Sequence, residues 1–307
     1  MDYAALGLKT LLVSLDGAVL VVTQNRSKHA NTWDRAVPFE LIRVFEAADK
    51  DDRVCVVIVT ADHTKSPAYC AGAALDAGKG WDSIYSEAEL QQGRHSHRDT
   101  GGQTSLAIYR CRKLTIAAVN GHAAGVGMTT MQLPFDFRFV WAGAKLTFPN
   151  LDLPPCASAR HIACLLSPPH RQRLLLPDSP ALNGLYHQVL PTRDAVFPAA
   201  LVFAQELAST TSMLSVAVTK SLIQHPGDSI EESHIHESRA LSELAQGPDA
   251  AEGVISFLEK RKPKFPGTLS DDLGGWFPWV RLLTLLVALL TLLQWREIST
   301  KYRAYKL

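Results

Sequence analysis

The chain has 307 residues, 47% of them hydrophobic, with Lys+Arg 31 against Asp+Glu 30 and a formal net charge of +1. That length suits one large domain with an appended segment, or two domains, and the charge balance excludes the basic surface excess of a nucleic-acid binder. The five cysteines, Cys55, Cys70, Cys111, Cys156 and Cys164, form no CxxC pair, which argues against a zinc or dithiol redox site and for buried free thiols in a reducing compartment. Asp2 and the lack of a basic stretch before the first apolar residues argue against a secretory signal.

In chain order, residues 11–22 hold two short apolar runs around Asp16-Gly17, a dipeptide suited to a type I′ hairpin turn. Residues 39–50 repeat apolar side chains at helical spacing, with Leu41, Phe45 and Ala48 on one face. Residues 54–60 are continuously apolar and β-branched, the pattern of a buried parallel strand. Tyr69-Cys-Ala-Gly-Ala-Ala-Leu75 predicts a strand running into a glycine turn. A polar connection over 78–102 carries His95, His97, Arg98 and Asp99. Helix over 105–111, strand over 114–119, a helix starting at Gly125 and strand over 137–141 follow. From about Ala195 the pattern is helical, with amphipathic stretches over 200–207 and 230–244, until Pro263, Pro266 and Gly267 mark a linker. Such alternation fits an α/β fold and does not by itself distinguish an open doubly wound sheet from a spiral.

The stretch Ile116-Ala-Ala-Val-Asn-Gly-His-Ala-Ala-Gly-Val-Gly-Met128 carries the most chemistry. A strand, a tight turn and a helix start in small residues let backbone approach a ligand closely. Free N–H groups at a helix start favour negative charge. They can hold a developing oxyanion if a second donor faces them; the N–H of Ala73 is the candidate. Each glycine cluster taken singly also reads as an ordinary tight turn.

Together the two segments resemble the crotonase (enoyl-CoA hydratase/isomerase) superfamily, whose paired signatures run roughly FCAGADL and IAAVNGxAxGxGxxL. The resemblance continues through Leu106-Ala-Ile-Tyr-Arg-Cys-Arg-Lys113, Phe135-Asp-Phe-Arg138, Ala144-Lys145 and Phe257-Leu-Glu-Lys-Arg261, covers about residues 10–279, and is strongest toward fungal peroxisomal-type members. It implies an α/β fold with a ββα spiral core over 1–194 and a helical C-terminal trimerisation region over 195–262. A linker over 263–279 and a hydrophobic tail over 280–307 complete the expected organisation. It implies an acyl-CoA thioester as substrate, hydrated or isomerised at its double bond, with the oxyanion held by the N–H groups of Ala73 and Val126. Ala74, Leu75 and Gly125 would line that site, and Arg26 and Lys28 would stand near the nucleotide. A homotrimer or hexamer, no metal and no redox cofactor follow from the same resemblance.

The chain departs from the family where protons are moved. The catalytic glutamates of two-glutamate hydratases correspond to Thr129 and, after Pro149, to Asn150. Where fungal-type relatives carry a glutamate before a pair like Ala157-Ser158, this chain has Pro154-Pro155-Cys156. Asp152 is the one acid between Ala142 and Pro177, so Asp152 and a water-orienting Asn150 are the catalytic candidates. His97, in a His97-Arg98-Asp99 segment followed by Gly101-Gly102, is a lid, a base or a surface residue. Asp136 reads as structural. A catalytically silent acyl-CoA-binding homologue or a membrane-tethered partner subunit is the alternative.

The tail departs as well. Residues 280–293 are almost wholly apolar, and Trp276 to Trp295 reaches spanning length only by including Arg281. It either spans a membrane or lies as an amphipathic helix. Tyr305-Lys306-Leu307 is similar to a peroxisomal C-terminal tripeptide with Tyr in place of the small first residue. The expected location is peroxisomal or cytoplasmic, anchored if the tail spans.

Overall fold

The structure is a computed structural model and describes residues 1–75, 91, 97–147 and 174–277. It divides into two compact units, Met1–Thr210 and Thr211–Leu307.

The first unit opens with a hairpin, β1 (Leu11–Asp16) and β2 (Val19–Gln24), paired with Asp16 opposite Val19. Its loop is therefore Gly17-Ala18, and of the two only Gly17 takes positive φ (57°). Type I′ needs positive φ at both central residues, so the expected turn around Asp16-Gly17 is displaced by one residue and is of another type. Helix α1 (Val37–Asp49) follows, burying Leu41, Phe45 and Ala48 as its spacing predicts.

From there the chain alternates between two sheets. Strand β3 (Val56–Ala61) lies in the large sheet and β4 (Ala68–Cys70) in a small one; helix α2 (Thr100–Arg110) returns the chain. Strand β5 (Leu114–Val119) then pairs parallel to β3, and β6 (His122–Ala124) parallel to β4. Strands β7 (Phe137–Trp141) and β8 (Leu146–Thr147) repeat the step, each adding one parallel strand to its sheet. Strand β9 (Leu174–Leu175) closes the small sheet antiparallel to β8, and β10 (Gln188–Leu190) extends the large one beside β7. The large sheet has six strands in the order β1-β2-β3-β5-β7-β10, and the small one four in the order β4-β6-β8-β9. This stepwise advance is the ββα spiral of the sequence-based expectation.

The strands of the large sheet read as unbroken apolar runs because both faces are covered. On one face Leu20, Val22, Val57, Val59, Ala117 and Val119 meet α1 and α2. On the other, Val19, Val21, Val56, Ile58, Ile116 and Phe139 meet Val196, Ala200 and Ala204 of helix α3 (Arg193–Thr210). Each fully buried side chain of this kind contributes about 1.5–3 kcal/mol. Helix α3 thus belongs to the sheet unit, although the expected boundary after residue 194 gave it to the C-terminal helices.

The second unit holds α4 (Met213–Gln224), α5 (Ile230–Ala245) and α6 (Pro248–Glu259). The segment after α6, expected as a linker, is a docked strap. Gly267 N–H donates to Asp249 Oδ1 at 2.7 Å, Leu269 is buried, and Trp276 packs with Val218 and Ala240. Its proline and glycine content prevents regular structure but not packing. No single helix among the described residues is long and apolar enough to cross a membrane; the tail over 280–307 lies outside them.

Candidate functional site

The two glycine-rich turns lie side by side because glycine leaves room for it. A Cβ on Gly121 would fall 2.5 Å from Tyr69 N, and one on Gly127 would fall 2.3 Å from Cys70 O. Gly72, at φ 97°, brings its turn against the Ala124 carbonyl. Strands β4 and β6 therefore run in contact and release their chains at the same end, into Ala73 and into Gly125-Val126-Gly127.

The expected helix at Gly125 is a single 3-10 turn, Gly125–Gly127. Gly125 O accepts from both Met128 N and Thr129 N, Met131 N reaches back to Val126 O, and the Gln132 side chain takes Gly127 O. These bonds replace a regular α-helical ladder with irregular turns. The functional consequence of a helix start survives: the N–H of Val126 finds no acceptor among the described residues.

Around Ala73 the amides of Ala71, Ala74 and Leu75 are committed. Ala71 N donates to Ala30 O, Ala74 N to Trp33 O at 2.8 Å, and Leu75 N to Ala73 O. The N–H of Ala73 is left without an acceptor among the described residues. Ala73 is thus the strand-like bridge partner of Trp33, Ala74 spends its amide on Trp33 O and does not offer it to a ligand, and Leu75 stands 52% exposed. The segment that does the fixing, with Asn31 donating to Ala68 O and Trp33 buried, follows Arg26 and Lys28 and is not among the residues expected at the oxyanion site. Ala30 and Asn31 both hold positive φ there, and an asparagine in a loop is the signal that would have pointed to it. Arg26 spends its guanidinium on Asp34 Oδ2 at 2.5 Å and on Thr32 O, whereas Lys28 is exposed.

Carboxylates do not gather here among the described residues. The buried ones are Glu40, which accepts from Lys9 N, Thr10 N and Thr10 Oγ1, Asp51, held by Tyr3 and Arg53, and Asp249. Asp136 Oδ2 accepts from Thr115 N and Oγ1, the structural role expected of it, while Arg138 turns to the carbonyls of Leu185, Gln132 and Phe135. Thr129 is half-buried and its Oγ1 points back to Gly125 O at 3.4 Å. The candidates Asn150 and Asp152 lie outside the described residues.

His97 is half-buried and precedes the start of α2. Asp99 is that helix's N-cap, accepting from Gly102 N at 2.6 Å. A Cβ on Gly102 would lie 2.8 Å from Asp99 Oδ2, so the glycine pair clears space for the cap. The first two turns of α2 abut the 125–130 turn, with Ser105 Oγ donating to Thr130 Oγ1 at 3.2 Å.

Residues 15–156 match the enoyl-CoA hydratase/isomerase family. The enoyl-CoA hydratase AFT3-1 of Alternaria alternata is 35% identical over 266 residues, covering 84% of this chain and 85% of the relative. This chain belongs to the enoyl-CoA hydratase/isomerase family. The mevalonyl-coenzyme A hydratase SIDH of Beauveria bassiana (strain ARSEF 2860) is 32% identical, over 80% of this chain and 90% of that one. A probable enoyl-CoA hydratase/isomerase of Mycobacterium abscessus superposes with a TM-score of 0.71 at 25% identity, covering 85% of this chain and all of the other. Membership in the enoyl-CoA hydratase/isomerase family gives the amides of Ala73 and Val126 their context: the two segments that carry them, residues 69–75 and 116–128, both lie within the matched residues.

Proposed function

We propose that the chain binds an acyl-CoA thioester with its carbonyl oxygen between the N–H groups of Ala73 and Val126, and hydrates or isomerises an enoyl-CoA. The observation that carries the reading is the contrast at Ala73: the amides of Ala71, Ala74 and Leu75 are taken up by Ala30, Trp33 and Ala73 itself, and its own finds no acceptor among the described residues. As water adds at the β-carbon or a proton leaves the γ-carbon, charge develops on the thioester oxygen, and two preorganised amides stabilise it there. The proton acceptor in this reading is Asp152, with Asn150 orienting water; His97 is the alternative base or a lid. The chemistry transfers no electrons and so calls for no redox cofactor, and in this reading the amide pair, not a metal, polarises the carbonyl. A homotrimer or hexamer in the peroxisome or cytoplasm, with the 280–307 tail as anchor or surface helix, completes the proposal.

A second reading, a silent acyl-CoA-binding homologue, is favoured by Thr129, whose hydroxyl cannot replace a carboxylate base. Crotonyl-CoA hydration and acyl-CoA binding measured on the same preparation separate the two. Turnover that falls at least tenfold in Asp152→Asn supports catalysis through Asp152. Thermal stabilisation by acyl-CoA without turnover supports the silent reading, and neither response overturns both.

A further inference from the structure

We infer that Arg193 is a positioning residue that sets the separation of the Ala73 and Val126 amides by clamping the roots of the two strands that carry them, an inference that rests on the thioester reading above. Arg193, the first residue of α3, is half-buried. Its Nε donates to Asn120 O at 3.0 Å and its Nη2 to Ser66 O at 2.6 Å. Asn120 directly precedes Gly121 and β6, six residues before Val126; Ser66 stands before Pro67 and β4, seven residues before Ala73. Both accepting residues are buried. One planar group with donors in fixed geometry thus spans the entrances to both arms of the amide pair.

The clamp is itself held. The guanidinium carbon lies 5.5 Å from the centre of the Trp141 ring, and His122 stacks on that ring at 5.4 Å. The next residue, Asp194, pairs with His63 in the same loop that presents Ser66. Between these roots and the turns the two strands are packed backbone to backbone at Gly121 and Gly127, on either side of a register shift in β4 between Ala68 and Cys70. A shift at the roots is therefore passed along to the amides. Lysine at this position keeps the charge but offers a point donor on a flexible stem, which cannot hold both carbonyls in one plane.

The test reads polarisation of the bound thioester. Carbon-13 carbonyl-labelled crotonyl-CoA is bound to the full-length protein and its infrared carbonyl stretch compared among wild type, Trp141→Leu, Arg193→Lys and Arg193→Gln, with affinity measured by calorimetry. The expected downshift is largest in wild type, smaller in Trp141→Leu and at most half of wild type in Arg193→Lys and Arg193→Gln, with Kd within about threefold throughout. Misplacement of a reacting group by about 1 Å can cost about 100-fold, so kcat is expected to fall about 10- to 100-fold with KM little changed. A full wild-type downshift in Arg193→Lys or, should the arginine variants not fold, in Trp141→Leu overturns the clamp. Absence of binding or of any downshift in wild type overturns the amide-pair reading instead.

Discussion

Gly125 and Gly127 stand two residues apart and answer to different forces. Gly125 takes φ 53°, whereas a methyl on Gly127 would meet Cys70 O at 2.3 Å. Gly125→Ala is expected to cost about 1–2 kcal/mol, the strain of a left-handed residue. Gly127, whose φ is not positive, carries no such strain, but Gly127→Ala must push the backbone of β4 away from the turn, an overpacking cost of about 1–3 kcal/mol or more. Denaturant unfolding should rank the variants in that order. Bound-thioester polarisation should fall in Gly127→Ala even where the fold survives, and equal stabilities would contradict the distinction. From the amino-acid string both residues read as one glycine cluster beside a ligand. What separates them is the carbonyl of Cys70, more than fifty residues earlier, which no local pattern displays. The same holds for Gly121: Asn120-Gly121 reads as a tight turn, yet the glycine is required by contact with Tyr69. The turn at Ala73 was legible from the run of small residues around it, but the commitment of nearby amides rests on Ala30 and Trp33, whose hold on that turn only the packing reveals.

At the scale of elements, His97-Arg98-Asp99 shows how a polar motif resolves into secondary structure. Asp99 and Gly102 read as the end of a long connection; in the fold they form a cap and the first turn of α2. Asp99→Ala should cost about 1 kcal/mol, the usual worth of an N-cap, and Asp99→Asn much less, since the amide oxygen still accepts. If Asp99 served proton transfer instead, Asp99→Asn would lose turnover while keeping stability, and comparing melting temperature with kcat decides. Strands β3, β5 and β7 and helix α1 were legible because their apolar period persists over a whole element. Boundaries shift where local geometry decides them: the Asp99 cap at α2, and strand register and φ at the Gly17-Ala18 loop. The 3-10 turn at Gly125 was mistaken for a helix start because a Gln132 side chain, not a backbone N–H, takes up the Gly127 carbonyl.

At the scale of the molecule, the segment after α6 shows why composition alone misjudges a linker. Pro263, Pro266 and Gly267 remove regular hydrogen bonding, and the strap replaces it with single, well-placed contacts. Asp249 is central: buried, it accepts from Ser212 Oγ at 2.5 Å at the start of α4 and from Gly267 N at 2.7 Å in the strap. Arg261 forks onto Glu252, and Lys264 N donates to the same carboxylate, which these contacts lower to a pKa of about 2. Asp249→Ala leaves a buried hydroxyl and a backbone N–H without their acceptor, a loss of about 1–3 kcal/mol for each group left unsatisfied. That is enough to free the strap while the helices it crosses remain packed through Val218 and Ala240. Brief trypsin treatment should therefore cut after Lys264 several times faster in Asp249→Ala than in wild type, with far-ultraviolet circular dichroism unchanged. Glu252→Gln, which weakens an exposed ion pair, should accelerate the cut far less. Equal cleavage in wild type and Asp249→Ala would mean that the strap is held by Trp276 and Leu269 alone, and Trp276→Ala would then be the variant that releases it.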